Sequence, residues 1–151
     1  MFGLLEQAAA GEADLAALPE VWPFQVSAKQ VRESAEPVPG PRTERLAEVA
    51  SRHRMWVHGG SVLERDGERI FNTSVLFDRS GEQVAIYRKI HLFDADPPGA
   101  VPSRESSVFS AGDQVVTAET EFGRVGLSIC YDLRFPELYR ILAVRGARLI
   151  T

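Results

Sequence analysis

Internal disulfides are excluded at once, because the 151-residue chain holds a single cysteine, Cys130. One thiol cannot close a bridge within the chain, which fits a reducing, cytoplasmic setting. A basic block is also missing. The 17 Lys and Arg residues are interspersed with 21 Asp and Glu, for a net charge of −4, so no nucleic-acid or membrane partner is expected. The opening MFGLLEQAAAGEADLAALPE has no basic head and is interrupted by Glu6, Glu12 and Asp14. It reads as neither a signal peptide nor a membrane span. There is no internal repeat and no Gly-rich phosphate loop after a strand. GLSIC, from Gly126, is not the serine-hydrolase elbow G-x-S-x-G, because its fifth residue is Cys130. His53, His58 and His91 lack metal-ligand spacing, and one short run through His91, Asp94 and Asp96 does not specify a cation. No metal and no cofactor are expected.

What is present is a globular composition, 44% hydrophobic and 25% charged, long enough for one domain with a real core. Met1 to Ala10 favours helix, with Gly11 as its stop. Leu15 to Leu18 reads as a short buried strand cut off by Pro19. Val21 to Pro41 reads mostly as loop, with a helical piece near Lys29 to Ser34. Thr43 can cap a helix carrying Leu46, Val49 and Ala50 on one face. From Met55 the period changes. WVHGGSVLER, RIFNTSVLFD and EQVAIYRKI read as three strands, turned at Asp66-Gly67 and Ser80-Gly81, so part of the sheet is antiparallel. His91 to Gly112 is a long loop. Val115 to Glu119 and Val125 to Ile129 form two further strands joined near Phe122-Gly123. Pro136 opens a helix carrying Leu138, Ile141 and Leu142, with Gly146 at its end. ARLIT begins another buried strand. The chain stops inside that strand and starts on a helix without a convincing cap. Both ends therefore read as cut, and residues 1–151 as a single, partial domain.

Four side chains carry candidate chemistry, each with an ordinary alternative. Cys130 ends an apolar strand just before a helix, where the N-terminal potential and free N–H groups favour a thiolate and an oxyanion. Taken alone it reads first as a buried packing residue, because free cysteine is among the most buried residue types. Glu20, at a strand end beside Pro19, can face a cleft as a general base, or lie solvated in a loop. Lys89 alternates with Tyr87 on one side of its strand, opposite Arg88 and Ile90. Its ammonium can meet a developing oxyanion, or its stem can lie on a sheet edge with the head in water. Glu105, in SRESS, reads locally as a solvated carboxylate.

Together, LPEVW (Leu18 to Trp22), YRKIHLFD (Tyr87 to Asp94) and GLSICYDLRFPEL (Gly126 to Leu138) resemble the nitrilase superfamily of carbon–nitrogen hydrolases, in its motif order and with similar spacing. HGGSVLER, FNTSVLFD and Gly112-Asp113-Gln114 add to the likeness. The resemblance implies an α/β (α+β) fold, a four-layer α-β-β-α sandwich with mixed sheets, incomplete in this chain. The first strand and the C-terminal portion of the sandwich are missing, and the incomplete sandwich is expected to expose apolar faces. It implies a catalytic triad at Glu20, Lys89 and Cys130, supported by Glu105, and homo-oligomers such as a dimer in the full-length form.

The implied reaction is hydrolysis of a small amide through a cysteine thioester. Glu20 is the base, and Lys89 and the backbone N–H of Tyr131 hold the oxyanion. CYDLRFPEL most resembles the omega-amidase and deaminated-glutathione amidase branch, whose substrates are small amides carrying carboxylates. Arg134 is a candidate contact for such a carboxylate, with a salt bridge to Asp132 or Glu137 as the ordinary reading. Two rivals stand beside this one. The first is a Cys–His hydrolase pairing Cys130 with His91. The second is a non-catalytic fragment or interaction module.

Overall fold

The computed structural model describes residues 1–22, 27–96, 98–99 and 102–151. Helix α1 (Phe2–Ala10) is followed by strand β1 (Leu15–Ala17), the short helix α2 (Ala28–Ser34) and helix α3 (Pro41–His53). Four strands come next: β2 (Trp56–His58), β3 (Val62–Asp66), β4 (Arg69–Phe77) and β5 (Gln83–Arg88). A small hairpin of β6 (Asp94–Ala95) and β7 (Ser103–Arg104) leads through a 3-10 turn, Glu105–Ser107, to β8 (Thr117–Thr120) and β9 (Gly123–Gly126). A second 3-10 turn, Cys130–Arg134, precedes helix α4 (Pro136–Val144) and strand β10 (Leu149–Ile150).

Both larger sheets are mixed or joined by tight hairpins. In the first, β1 runs parallel to β2, while β4 pairs antiparallel with β2, β3 and β5. Alternation along β4 decides what each face meets. Val75 and Phe77 pack against α1 and α3 with Leu5, Leu46 and Val49, whereas Leu76 packs with Val125, Leu127 and Ile129 of the second sheet. In that second sheet β8 and β9 are antiparallel, and β10 lies parallel to β9 after crossing over through α4. The buried side of α4 presents Leu138 and Leu142. A Cβ on Gly126 would come within 3.0 Å of Leu142, so a glycine there lets the helix approach the sheet closely. Helices, sheet, sheet and helix thus form the expected α-β-β-α layers. Each fully buried leucine, such as Leu46, contributes roughly 1.5–3 kcal/mol to this stack.

The elements differ from expectation in instructive places. WVHGGSVLER is two strands, broken at Gly59-Gly60-Ser61, and both pieces lie along one edge of β4. Thr43 is not a cap; α3 starts at Pro41 after Gly40, and the Thr43 hydroxyl bonds the backbone of Gly40 at 2.9 Å from inside the first turn. Proline at the first helical position explains the earlier start. The helical piece in Val21 to Pro41 is α2, capped by Ser27 and Gln30 bonding reciprocally. Positions 23–26 of that loop lie outside the described residues, as do positions 97, 100 and 101 of the His91 to Gly112 stretch, which otherwise contains β6, β7 and a 3-10 turn. Strand β9 ends at Gly126, although backbone bonds continue from Leu127 N–H to the Val116 carbonyl and from Ser128 N–H to the Thr151 carbonyl, and β10 is not buried: Leu149 is 39% exposed at the edge of its sheet. Leu133, Ile141 and Val144 are exposed as well.

Candidate active site

The break after β2 makes room for Glu20. Leu18 still donates to the His58 carbonyl at 3.0 Å, and the chain then turns away at Pro19. Gly60 has φ +61, and a Cβ there would stand 2.0 Å from the Pro19 carbonyl oxygen. Only glycine fits that approach. The Ser61 N–H donates to the Pro19 carbonyl at 3.2 Å, and its hydroxyl accepts from Val21 N–H at 2.9 Å. Val21 takes φ 42, a left-handed conformation that a β-branched residue adopts only under constraint.

Lys89 leaves the end of β5. Its N–H donates to the Asn72 carbonyl at 2.9 Å, and its carbonyl accepts from Gly112 N–H at 2.8 Å. Any Cβ at Gly112 would fall 2.2 Å from the Arg88 carbonyl oxygen, so this return of the loop against β5 requires glycine. Glu105 heads the first 3-10 turn, its carbonyl accepting from Val108 and Phe109 at 3.0 and 2.9 Å. Cys130 is the first residue of the second 3-10 turn and has φ 45. Such strain at a strand-to-turn elbow is typical of residues held in place for chemistry.

The segments of Glu20 and Glu105 converge on the Lys89 ammonium. Its Nζ lies 2.9 Å from Glu20 Oε1 and 3.0 Å from each carboxylate oxygen of Glu105. The Lys89 side chain is 1% exposed, so the sheet-edge alternative does not hold. Burial alone would lower its pKa, but hydrogen bonds and charge from Glu20 and Glu105 outweigh this and hold the ammonium above its usual range. Glu105 is also tied down from its other side, accepting from Phe93 N–H at 2.5 Å. It is therefore not the freely solvated carboxylate its local sequence suggests.

Cys130 corrects one electrostatic expectation. Its thiol is pushed above the usual range, first by burial and then by a hydrogen bond to Glu20 and that residue's charge, with Lys89 pulling the other way. The turn behind it is a short 3-10 segment, and its potential does not prevail over the adjacent carboxylate. The Cys130 side chain is exposed rather than packed in the core, and these influences favour its neutral thiol beside the Glu20 carboxylate, an arrangement that suits proton transfer at the moment of attack. Glu20 and Cys130 open on a cavity of about 170 Å³ that His58, Ser61 and Ser128 also line.

His91 is directed elsewhere. Its Nδ1 meets Asp132 Oδ1 at 2.7 Å, and its ring stacks on Phe135 at 3.6 Å. Asp132, fully buried, also accepts from His91 N–H, from Ile129 N–H and from the Tyr87 hydroxyl. One carboxylate thereby joins the end of β5 to the elbow that holds Cys130. Its filled shell explains why Arg134 does not bridge to it. Arg134 is exposed, and among the described residues it pairs with no acid. Likewise, no described acceptor takes the Tyr131 backbone N–H, which follows Cys130 at the start of the turn.

Two polar residues at the site escaped the sequence reading. Asn72 is fully buried and donates from Nδ2 to Glu20 Oε1 at 2.7 Å. His58 lies against the cavity, with Nε2 2.8 Å from the Ser74 hydroxyl. The available signal was a polar residue inside an otherwise apolar strand, in FNTSVLF and WVHGG.

Comparison with known proteins agrees with this architecture. An omega-amidase of Homo sapiens is 43% identical over 97% of this chain, which covers 53% of that protein. The chain spans about half the length of the curated relatives it matches. The structure of the NitFhit protein of C. elegans superposes with a TM-score of 0.83 at 33% identity, over 97% of this chain and 37% of that one. A mutant amidase from Nesterenkonia sp., with the acetamide moiety of fluoroacetamide added covalently at its active-site cysteine, superposes with a TM-score of 0.73 at 28% identity, over 99% of this chain and 56% of that one. Carbon-nitrogen hydrolase is the family matched by residues 3–151. The layered fold and the match over nearly every residue lead to one conclusion: this chain belongs to the carbon–nitrogen hydrolase family, within the nitrilase superfamily.

Proposed function

We propose that the protein hydrolyses a small, carboxylate-bearing amide to a carboxylate and ammonia through a thioester on Cys130. The observation that carries this reading is the Lys89 ammonium buried between Glu20 and Glu105, with Glu20 and the Cys130 thiol lining one cavity. Glu20 takes the thiol proton as sulfur attacks the amide carbon. Negative charge develops on the amide oxygen, where the Lys89 ammonium and the Tyr131 backbone N–H stabilise it. Collapse breaks the C–N bond, and Glu20 returns the proton to the departing nitrogen, releasing ammonia. A water deprotonated by Glu20 then attacks the thioester, giving the acid and restoring the thiol. Glu105 keeps Lys89 charged and aimed.

Two likenesses support the reading: the name omega-amidase on a 43%-identical relative, and the covalent adduct on the active-site cysteine of the Nesterenkonia amidase. The unpaired Arg134 guanidinium is the candidate partner for the substrate carboxylate. The resemblance further supports a homo-oligomer such as a dimer, and the single cysteine fits a cytoplasmic location. No described helix is long and apolar enough to cross a membrane.

The test is ammonia release by the full-length protein from a panel of dicarboxylate monoamides, including 2-oxo acids. Cys130→Ala should abolish release while leaving the thermal melt unchanged. Normal turnover by that variant would falsify the thioester route.

A further inference from the structure

Asn72 sits at the centre of β4 with no exposed surface, and it touches two of the converging residues at once. Its backbone carbonyl accepts from Lys89 N–H at 2.9 Å. Its side-chain Nδ2 donates to Glu20 Oε1 at 2.7 Å. That same Oε1 receives Lys89 Nζ at 2.9 Å. Both donors therefore bind one oxygen of the carboxylate and leave Oε2 to neither.

The other end of the Asn72 side chain shows what this arrangement costs. Its Oδ1 is buried and has no hydrogen-bond partner among the described residues. A carboxylate accepts only from the NH₂ end, so facing Glu20 turns the carbonyl end away from it. A buried acceptor without a donor is unfavourable, and such groups persist in folded proteins where another demand maintains them. An apolar side chain of equal volume would fill this position in β4 without that penalty. Core packing therefore does not account for the amide.

We infer that Asn72 is a positioning residue for the reaction: it locks Glu20 Oε1 between its own amide and the Lys89 ammonium, so that Oε2 carries the proton between Cys130 and the leaving nitrogen. This rests on Glu20 being the base. Asn72 touches neither thiol nor substrate, and it acts only through the rotamer and protonation of Glu20. A base whose oxygen wanders by about 1 Å from its working position loses on the order of a hundredfold in rate.

The experiment compares Asn72→Leu with wild type in the full-length protein, following ammonia release against pH. Leucine keeps the branching at Cγ, adds some bulk, and removes both the donor and the unpartnered carbonyl. The expected result is a fall of about ten- to a hundredfold in kcat and in kcat/KM together, with KM little changed. The acidic limb of kcat/KM should move to higher pH, because a donor that favours the Glu20 carboxylate is gone. Asn72→Asp, identical in shape, should move the limb further by setting a second carboxylate beside Glu20. Both variants should still melt cooperatively.

Wild-type kcat with an unmoved limb in either folded variant overturns the inference. So does failure of both variants to melt cooperatively, which would make Asn72 a residue of the core. Cys130→Ala in the same assay separates the two ideas. Turnover without the thiol defeats the mechanism itself, whereas its loss there, beside an unaffected Asn72→Leu, defeats only the positioning role.

Discussion

Arg88 and Lys89 are neighbours on one strand, and each is a cation shared by two carboxylates, yet the two clusters are built differently. The Arg88 guanidinium meets Glu64 in a forked pair, at 2.9 and 2.5 Å, and Asp66 at 3.0 Å. Both acids come from β3, and Phe71 of β4 supplies a ring face 4.0 Å from the guanidinium. Everything is local to one hairpin and its neighbour, and Arg88 remains 31% exposed. Lys89 is 1% exposed, and its acids arrive from the end of β1 and from the loop after β7. Charge pattern alone does not tell the two apart. What separates them is that the Lys89 cluster gathers chain segments remote in sequence around a buried cation, at a point where a strained cysteine also arrives. A hairpin holds the Arg88 group for its own stability; ordering Glu20, Lys89 and Glu105 together costs entropy that only long-range folding can offset.

The sharpest way to break this contrast is to neutralise each cation in turn. Lys89→Met should lower ammonia release by about 10²–10³-fold or more, the loss associated with removing one donor to an oxyanion. It should also destabilise the fold, since Glu20 and Glu105 would face each other without a counter-charge. Arg88→Met should leave turnover nearly intact and cost roughly 1–3 kcal/mol of stability, because buried Glu64 keeps its bond from the Thr73 hydroxyl and loses the rest. The measurements are steady-state ammonia release and urea denaturation of both variants. Equal losses of activity would show that the two clusters are one.

A buried polar pair with no counter-charge at all sharpens the comparison further. Among the described residues His58 bonds only Ser74, and its buried Nδ1 has no partner there. Burial lowers its pKa from 6.5 to about 4. Above pH 6.5 the ring is neutral in both native and unfolded chains. Between 6.5 and 4 the unfolded chain gains a proton that the native one refuses, so stability falls with pH by about 1.4 kcal/mol per unit, for a total of about 3 kcal/mol. Thermal melts across this range should therefore slope more steeply in wild type than in His58→Gln. Parallel slopes would show that His58 is not held neutral.

Much of this was legible beforehand, for identifiable reasons. The turns at Gly67 and Gly81 carry positive φ and appear in the sequence as Asp-Gly and Ser-Gly, so both hairpins of the first sheet could be placed. Glu20, Lys89 and Cys130 stand in short motifs that can be compared with a family, and the structure brings those side chains together. Asn72 and His58 were passed over because a polar residue in an apolar strand carries no label for what it faces across the sheet. The split of β2 from β3 was missed because the run keeps its apolar character through Gly59-Gly60-Ser61. The cause of the break, the Pro19 carbonyl pressing on Gly60, lies some forty residues earlier in the chain. Even the state of the thiol depended on a tertiary contact. The turn following Cys130 suggested a thiolate, and desolvation together with the placement of Glu20 reverses that.

The mildest test concerns that reversal. If the Glu20 carboxylate holds the Cys130 proton in place, the thiol should alkylate slowly at neutral pH compared with a free cysteine, gaining speed only as pH rises. Glu20→Gln removes the charge but keeps the shape. Burial still raises the thiol, while Lys89 continues to favour the thiolate. The midpoint of alkylation should therefore move to lower pH, and labelling at pH 7 should accelerate severalfold even as turnover is lost. The same substitution leaves Lys89 with only Glu105 as a charged partner, so the Arg88 cluster, which shares none of these groups, should be untouched in its contribution to stability. An alkylation midpoint that stays put, or climbs, would mean that burial alone sets the thiol and that Glu20 does not hold its proton.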